Sequence, residues 1–491
     1  MTRLLCAFFL LSTIAVKAQY TTPGTGSTLS LSDLVELSGG VVTTSDGDFQ
    51  INADLTIAPS DSLHIFEAVD VYIAPDVLIT IQGAFEVEDG FFTVICCDEF
   101  YEGFRFEGES YGSLRNSTFE LGGGIRVLTS NFEMLNCTVR YMNEGAASGA
   151  AVDLFTGKPL ISNCTFLENR SAAIGSSANI PVAPIIEDCT LASNNMDNSN
   201  RPQINLGPSG SDTTIIRNNL VVGNNVLDQV GGIAFASLFG VESHAVITGN
   251  NVFANRYGIA VIGGNIHSVI SNNLIMLNDT QGDPLLGGSG INIFASGDNS
   301  HLVLNNTIRE NLWGVTLQGD AMANFGEIDN PDVGPGGNIF HNNGNGGEIF
   351  ALFNNTPNTT WAQGNCWEEE NENPTLESAE QVISHNADDP ELGLVNFDPL
   401  DPCGLPTGLR EEIAKDFMQM YPNPARAHVS INTEKPFSTI EIYDLSGRQI
   451  VQKKIGERTF FELPVSHLAA GMYVVRVNGG DWMAASRLTI E

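Results

Sequence analysis

A nine-residue phrase of alternating apolar and polar residues recurs through the middle of the chain. It begins with Ile or Val, carries Cys or Asn at its fourth position and ends with Asn. Clear copies begin at Ile161, Ile186, Ile216, Ile247, Ile270 and Val303. Successive copies begin 23 to 33 residues apart. A repeat of about 20–50 residues with variable insertions is typical of a solenoid.

Each phrase predicts one short strand, and a second apolar run follows a glycine, as at Gly258, Gly290 and Gly314. The chain is rich in Gly, Asn and β-branched residues and lacks a helical apolar period, so helical repeats are excluded. Parallel strands of consecutive repeats stack about 4.8 Å apart. We therefore predict a parallel β-helix with Ile, Val, Leu and Phe stacked inward.

Two positions of the phrase predict internal ladders, because stacked coils place like residues over one another. An Asn amide can bond the next amide and tolerates left-handed turns. The ninth position predicts such a ladder at Asn169, Asn194, Asn224, Asn255, Asn278 and Asn311. The fourth position changes from sulfur to amide along the chain, with Cys137, Cys164 and Cys189 followed by Asn219, Asn250, Asn273 and Asn306.

Over roughly residues 50–370, these phrases resemble the right-handed parallel β-helix repeats of the pectate-lyase-like superfamily. The resemblance implies an all-β fold: a right-handed parallel β-helix solenoid over residues 19–400, followed by a small C-terminal β-sandwich. Open solenoid ends need caps. The predicted caps are a short helix at 33–37 after Ser32, a helix at 377–384, and Trp367 as a plug.

The first 18 residues are predicted to be a signal peptide. Arg3 supplies a positive charge, an apolar core runs from Leu4 to Val16, and small residues precede cleavage after Ala18. After residue 20 no run of 18 consecutive apolar residues occurs, so no transmembrane segment is expected in the mature chain.

The last part of the chain differs from the body in charge. The net charge of 410–491 is zero, whereas nearly all of the excess acid lies before it. We predict a linker at 401–416 and a separate all-β domain, here called the tail, at 417–491.

Three blocks of the tail resemble the C-terminal sorting domain of type IX secretion cargo. They are Tyr421 to Pro424, Ile442 to Arg448 and Leu468 to Tyr473. The resemblance implies the type IX secretion machinery as a partner, and a protein secreted from a Gram-negative bacterium or held on its outer cell surface. It also implies that the tail is removed after export.

The charge of the whole chain bears on its partners. With 22 basic and 58 acidic residues the formal net charge is −36, which argues against nucleic acid and anionic membranes. No CxxC pair occurs, and we expect no metal site and no cofactor. Cys366 and Cys403 are a candidate disulfide pair in an exported protein.

No complete catalytic constellation is visible in the sequence. The row predicted to face outward beside the glycine-led strands is small or neutral after its first residue, and consists of Asp153, Asn205, Ala234, Ala260, Asn292 and Thr316. A glycosidase needs two carboxyl groups about 5–10 Å apart, and this row offers no such pair. The histidines of the body, among them His244, are predicted in turns or beside strands. His267 and His301 precede successive phrases by similar offsets, which would let them stack.

Two aromatic residues form the candidate carbohydrate-binding site. Tyr257 and Trp313 follow the ends of their phrases at the same position, two coils apart. Two coils span about 10 Å, so the rings could stack on alternate sugar rings. The alternative is that each ring folds over its own turn glycine.

Three functions are compatible with these observations. We favour a secreted or cell-surface β-helix protein that binds glycans or surfaces, including an extracellular polysaccharide, without catalysis. A polysaccharide lyase or glycoside hydrolase acting on an extracellular polysaccharide is the second function, so the sequence leaves the enzyme question open. A structural or adhesive surface protein is the third.

Overall fold

The structure is a computed structural model. It describes residues 19–96, 99–224, 226–345, 349–369, 373–401, 403, 418–422, 425–444, 449–479 and 483–490. The predicted signal peptide lies outside the described residues, as does the predicted linker apart from residues 401 and 403. In the described part of the chain, no helix has the length and apolar character that a membrane crossing requires.

The body is a parallel β-helix whose coils contribute strands to three stacks, called faces 1, 2 and 3. Faces 1 and 2 are joined through long bent strands into one sheet of 26 strands, and face 3 is a sheet of 14. Pairing within the stacks is parallel, except for the hairpin of Val42–Ser45 with Asp48–Ile51. The predicted fold of the body is confirmed.

The strands of face 1 are Gln19–Thr21, Asp54–Ile57, Leu78–Ile81, Gly103–Phe106, Ile125–Val127, Ala150–Leu154, Ala172–Ser176, Pro202–Leu206, Gly231–Ser237, the first parts of Ile259–Ser271 and Ser289–Leu304, Trp313–Gly319, Leu352–Asn355 and Ile383–Ser384. Those of face 2 are Thr28–Leu29, Ser62–Ile65, Ala84–Glu88, Tyr111–Arg115, Asn131–Leu135, Leu160–Ser162, Ile185–Glu187, Thr213–Arg217, Ser243–Thr248, the second parts of the same two long strands, Ala323–Asn324, Thr360–Trp361 and Val395–Asn396. Those of face 3 are Val42–Ser45, Asp48–Ile51, Val69–Ile73, Gly90–Val94, Thr118–Glu120, Thr138–Arg140, Thr165–Leu167, Thr190–Ala192, Leu220–Val222, Asn251–Phe253, Leu274–Met276, Thr307–Arg309, Ile339–His341 and Cys366–Glu368.

The core runs the length of the coil and changes composition along it. The first coils are filled by aromatic rings, with Phe92 and Phe119 stacked in parallel at 4.9 Å between centroids. Later coils are filled mainly by aliphatic side chains such as Ile247 and Ile270. The near-complete burial of alternate residues in each strand provides the apolar area that stabilises the fold.

The predicted change from sulfur to amide at the fourth position is confirmed. The backbone N–H of Cys164 donates to the sulfur of Cys189, and that of Cys189 donates to Oδ1 of Asn219 at 2.9 Å. From Asn219 onward each amide donates to the next, through Asn250, Asn273, Asn306, Asn338 and Asn365, at 2.8–3.0 Å.

The ninth-position ladder also forms, but the prediction was wrong at Asn224. Its place is taken by Gln203, which accepts from Asn194 and donates to Asn255. Asn224 instead accepts a hydrogen bond from the backbone N–H of Val226. The ladder ends where Asn343 donates both its backbone and its amide N–H to the buried carboxylate of Glu369.

Both ends of the β-helix are capped. The first helix is Leu31–Leu37, and its N-cap is Ser30, which forms a capping box with Asp33. At the other end the second helix is only Leu376–Glu380, and the rest of the predicted helix is a turn at 381–382 followed by the strand Ile383–Ser384. That correction follows from pairing, because Ile383 continues face 1 beside Leu352.

The last coil is closed by a disulfide and a buried ring. Cys366 and Cys403 form the predicted disulfide. Trp367 is 1% exposed and stacks in parallel on Phe340 at 4.5 Å, as a plug should.

The tail is a five-stranded antiparallel sheet with its own core. Its strands are Met418–Tyr421, His428–Asp444, Gln449–Pro464, Gly471–Asn478 and Met483–Ile490. The two long strands are interrupted by register shifts, and the first strand contacts the last. The single sheet thus curls around a core that includes Ile431, Ile440, Val475 and Leu488.

Candidate functional site

The outward row of face 1 is aligned as the sequence predicts. Asp153, Gly175, Asn205, Ala234, Ala260, Asn292 and Thr316 are partners in consecutive coils. The row also extends upstream to Arg126 and Arg105, which the sequence analysis did not place there. The sequence does contain a local signal for this outward placement, because each arginine lies between two buried apolar residues, as in Phe104-Arg105-Phe106.

Arg126 and Arg201 form a charged cluster with the buried carboxylate of Asp153, here called the face 1 cluster. Asp153 is 6% exposed and accepts from the backbone N–H groups of Ser148 and Gly149. Burial raises the pKa of Asp153, and the positive charges of Arg126 and Arg201 oppose that rise. The Arg126 guanidinium also lies 4.5 Å from the centroid of the Phe155 ring.

The two predicted carbohydrate-binding rings share one repeat position. Trp313 pairs with Ser289, and the register of the coil before Ser289 aligns Tyr257 with Ser289. The Tyr257 ring lies over the previous coil, where a Cβ on Gly231 would be 2.2 Å from its Cζ. Burial raises the pKa of Tyr257 to about 12.

Trp313 is packed differently. Its indole stacks on Phe350 at 5.0 Å and on Phe353 at 5.6 Å, and its Nε1 donates to the carbonyl of Pro284 at 2.9 Å. Both rings are half-buried, and the carbohydrate-binding role of the pair stays a prediction.

A groove on face 2 holds the main group of polar side chains that the sequence analysis did not assemble. Thr213, His244, His267 and Ser300 are partners in four consecutive coils and face outward. The rings of His244 and His267 stack at 5.3 Å and 19°, and Nδ1 of His267 is 2.8 Å from the Ser300 hydroxyl.

The expected stacking of His267 with His301 was wrong. His301 pairs with Ser268, one residue on from His267, so it belongs to the inward-facing set and is 2% exposed. Its Nδ1 is 2.9 Å from the Ser268 hydroxyl. Burial, together with the charge of His267, lowers the pKa of His301 to about 3, so this imidazole is neutral. An offset of one residue reverses a side chain in a strand, and the sequence offsets were only similar.

The groove combines this polar row with an apolar floor. Val246, Val269 and Leu302 lie in register beside the imidazoles, and Met322 and Val333 complete its lining. The cavity measures about 380 Å³. In the part of the chain that the structure describes, no carboxylate side chain lines it, although Glu242 reaches Nε2 of His244 at 3.1 Å.

Among the described residues, a single cluster brings three potential metal ligands together: Cys366, Glu368 and Cys403. The two sulfurs of this cluster are bonded to each other in the disulfide. That group is therefore part of the end cap, and its sulfurs are not thiolate ligands.

Two family models match parts of this chain. A family model described as the right handed beta helix region matches residues 98–237 and 129–311. The body is a right-handed β-helix. A second model, the secretion system C-terminal sorting domain, matches residues 419–491. The tail is a type IX sorting domain, and it indicates secretion or placement on the outer cell surface.

No curated protein is significantly similar to this β-helix. Among solved structures, a mutant of the periplasmic alginate epimerase AlgG is 12% identical over 75% of this chain and 83% of that one, with a TM-score of 0.38. At that level the similarity says nothing about substrate or reaction.

Proposed function

We propose that the protein is an extracellular β-helix that binds a neutral polysaccharide in the face 2 groove without cleaving it. The observation that carries this proposal is the stacked pair His244 and His267 beside an apolar floor. Ligand sites are typically concave and largely apolar, with a few convergent polar groups. Sugar rings match such a lining, because their C–H faces are apolar and their hydroxyls exchange hydrogen bonds.

The charge of the body favours a neutral ligand over an acidic one. The whole chain carries −36, with an isoelectric point near 4.3, so a polyanion meets a repulsive field. The groove offers imidazole and hydroxyl groups and no lysine or arginine among its described lining residues. The same lining, without a carboxylate pair, supports binding over hydrolysis.

Affinity gel electrophoresis against a panel of neutral and acidic polysaccharides tests the proposal. The double variant His244→Ala with His267→Ala should lose retardation on the neutral polymer that retards the wild type. His64→Ala is the matched control, because His64 also faces outward on face 2, in a coil far from the groove. Unchanged retardation of the double variant, or retardation by acidic polymers alone, contradicts the proposal.

The predicted aromatic pair is tested in the same gels. Tyr257→Ala with Trp313→Ala should weaken retention at an unchanged melting temperature if the rings stack on sugars. A lowered melting temperature with full retention means that the rings serve packing over Gly231 and Phe350.

A polysaccharide-degrading enzyme is the second candidate function, and the face 1 cluster is the observation that favours it. A buried carboxyl group with a raised pKa beside arginines is an arrangement often found at active sites. Release of reducing or unsaturated ends from any polymer of the panel, abolished by Asp153→Asn, would replace the binding proposal with this one. If the wild type releases no product from any polymer, the face 1 cluster is a structural element.

A further inference from the structure

Face 3 carries an apolar patch in the middle of an otherwise polar outer surface. One outward row reads Glu120, Arg140, Leu167, Ala192, Val222, Phe253, Met276, Arg309, His341 and Glu368 in consecutive coils. Five successive members are apolar, with charged or imidazole residues on both sides. Together with Leu220 and Leu274 in the neighbouring row, these five form what we call the flank patch.

The flank patch is buried although its residues face away from the core. Ala192 and Leu220 are 1% exposed and Val222 is 3% exposed. The patch forms its own apolar cluster, separate from the main core. Outward residues of a single-layered coil reach such values only when another part of the chain covers them.

A residue of the tail reaches the edge of this patch. The guanidinium of Arg476 donates to the hydroxyl of Thr190, which is 1% exposed and is the strand partner of Leu220. Arg476 is itself 9% exposed and pairs with Glu441 at 2.6 Å between Nε and Oε2. It lies on the side of the tail sheet opposite its core residues Val475 and Val477.

We propose that the sorting tail docks on the flank patch and covers it. The Arg476–Glu441 pair is the polar part of the contact. A buried charge is tolerated when it is paired and its remaining donors are satisfied, and the Thr190 hydroxyl satisfies one of them. The apolar residues of the patch supply the area that favours contact. The net charge of 410–491 is zero, so the tail adds no repulsion to the acidic body.

The docked arrangement has a consequence for the separated body. Once the tail is detached, the patch exposes Phe253, Met276 and their neighbours as one contiguous apolar surface. Such a surface marks an interaction site on a soluble protein. The contact therefore makes the tail an intramolecular cover as well as a sorting domain.

Cleavage of the linker in the full chain tests the docking. A protease site inserted within 404–417 allows the chain to be nicked after folding, and gel filtration then shows whether the tail stays with the body. We expect co-elution for the wild type. Leu220→Asp should weaken retention of the tail at least about tenfold, since it places a charge under the cover.

Ile339→Asp is the matched control, because Ile339 is an outward aliphatic residue of face 3 beyond the patch. It should leave retention unchanged. Hydrogen exchange on the uncut chain provides the second readout, with faster exchange expected at 190–192 and 474–477 in Leu220→Asp alone. Immediate separation of the nicked wild-type tail, or equal retention by both variants, overturns the proposal.

Discussion

The coils with cysteine at the fourth position and the coils with asparagine there solve the same problem in different ways. In both, the backbone N–H of one ladder residue needs an acceptor from the next coil. The sulfur of Cys164 accepts from Cys137 at 3.4 Å, whereas Oδ1 of Asn273 accepts from Asn250 at 2.9 Å. Either side chain therefore satisfies the buried donor.

The cysteines and the asparagines of the fourth-position ladder differ in what else their side chains bind. The Asn250 amide donates to the carbonyls of Ile216 and Thr248 and to the Asn273 side chain, so adjacent coils are tied together. The single thiol proton of Cys164 is shared between the carbonyl of Ser162 at 3.3 Å and that of Met134 in the preceding coil at 3.4 Å, and the thiol has no second proton for the side chain of the next coil. Burial raises the pKa of the Cys164 thiol, which keeps it protonated as a donor. Both side chains thus connect neighbouring coils through the backbone, and only the amides add a bond from one side chain to the next.

Removing an amide from the ladder should have the largest effect. Asn250→Ala leaves the Asn219 backbone N–H and the Ile216 carbonyl without their partners inside the coil. We expect a loss of about 3 kcal/mol in the free energy of unfolding, measured by chemical denaturation. Thr248→Ala is the control, since Thr248 lies two residues away and is half-exposed. Equal losses in the two variants would mean that the ladder adds nothing beyond local packing.

The carboxylate of Glu369, which ends the ninth-position ladder, should make stability depend on pH. Burial raises the pKa of Glu369 from 4.5 to about 7, against two hydrogen bonds from Asn343 that favour the charged form. The proton on Glu369 binds more tightly in the folded state than in the unfolded state, so protonated Glu369 contributes to stability. This contribution is complete below pH 4.5 and is lost as pH rises through about 7.

Glu369→Gln should remove that loss and make the chain about 2 kcal/mol more stable than wild type at pH 8. Denaturation curves of both proteins at pH 5 and pH 8 provide the measurement. Glu368→Gln is the neighbouring control, since Glu368 is half-exposed on the outer surface. Parallel pH dependences for Glu369→Gln and wild type would contradict the assignment.

The smallest effect is expected in the sulfur ladder. Cys164→Ala removes a sulfur acceptor for the Cys137 backbone N–H, a thiol donor to the Met134 carbonyl and a small buried volume, but it breaks no amide-to-amide bond between coils. We expect a loss of about 1 kcal/mol, clearly below that of Asn250→Ala, in the same denaturation assay. A cost equal to that of Asn250→Ala would show that sulfur stacking stabilises the coils as strongly as the amide chain.

Much of this architecture was predictable because a coil repeats its own chemistry. The phrase at 247–255 already contains an inward Ile, a ladder Asn and the turn between two faces, and the structure places each as predicted. The row from Asp153 to Thr316 was likewise predictable, because strand alternation is a local property. The placement of Arg105 and Arg126 was predictable in the same way, since each lies between two buried apolar residues of its strand.

What the sequence determined by itself is therefore whatever repeats: the strand alternation, the stacked interior, the ladders and the sorting tail. Tertiary structure alone decided where coils of different length meet. A bulge between Gly264 and Ile266 sets the register in which His267 aligns with Ser300 and His301 turns inward. Gln203 reaches the ladder from a strand of face 1 and occupies the place predicted for Asn224. The groove depends on such long-range alignments, and the physical reason is that register across coils depends on the length of every connection between them.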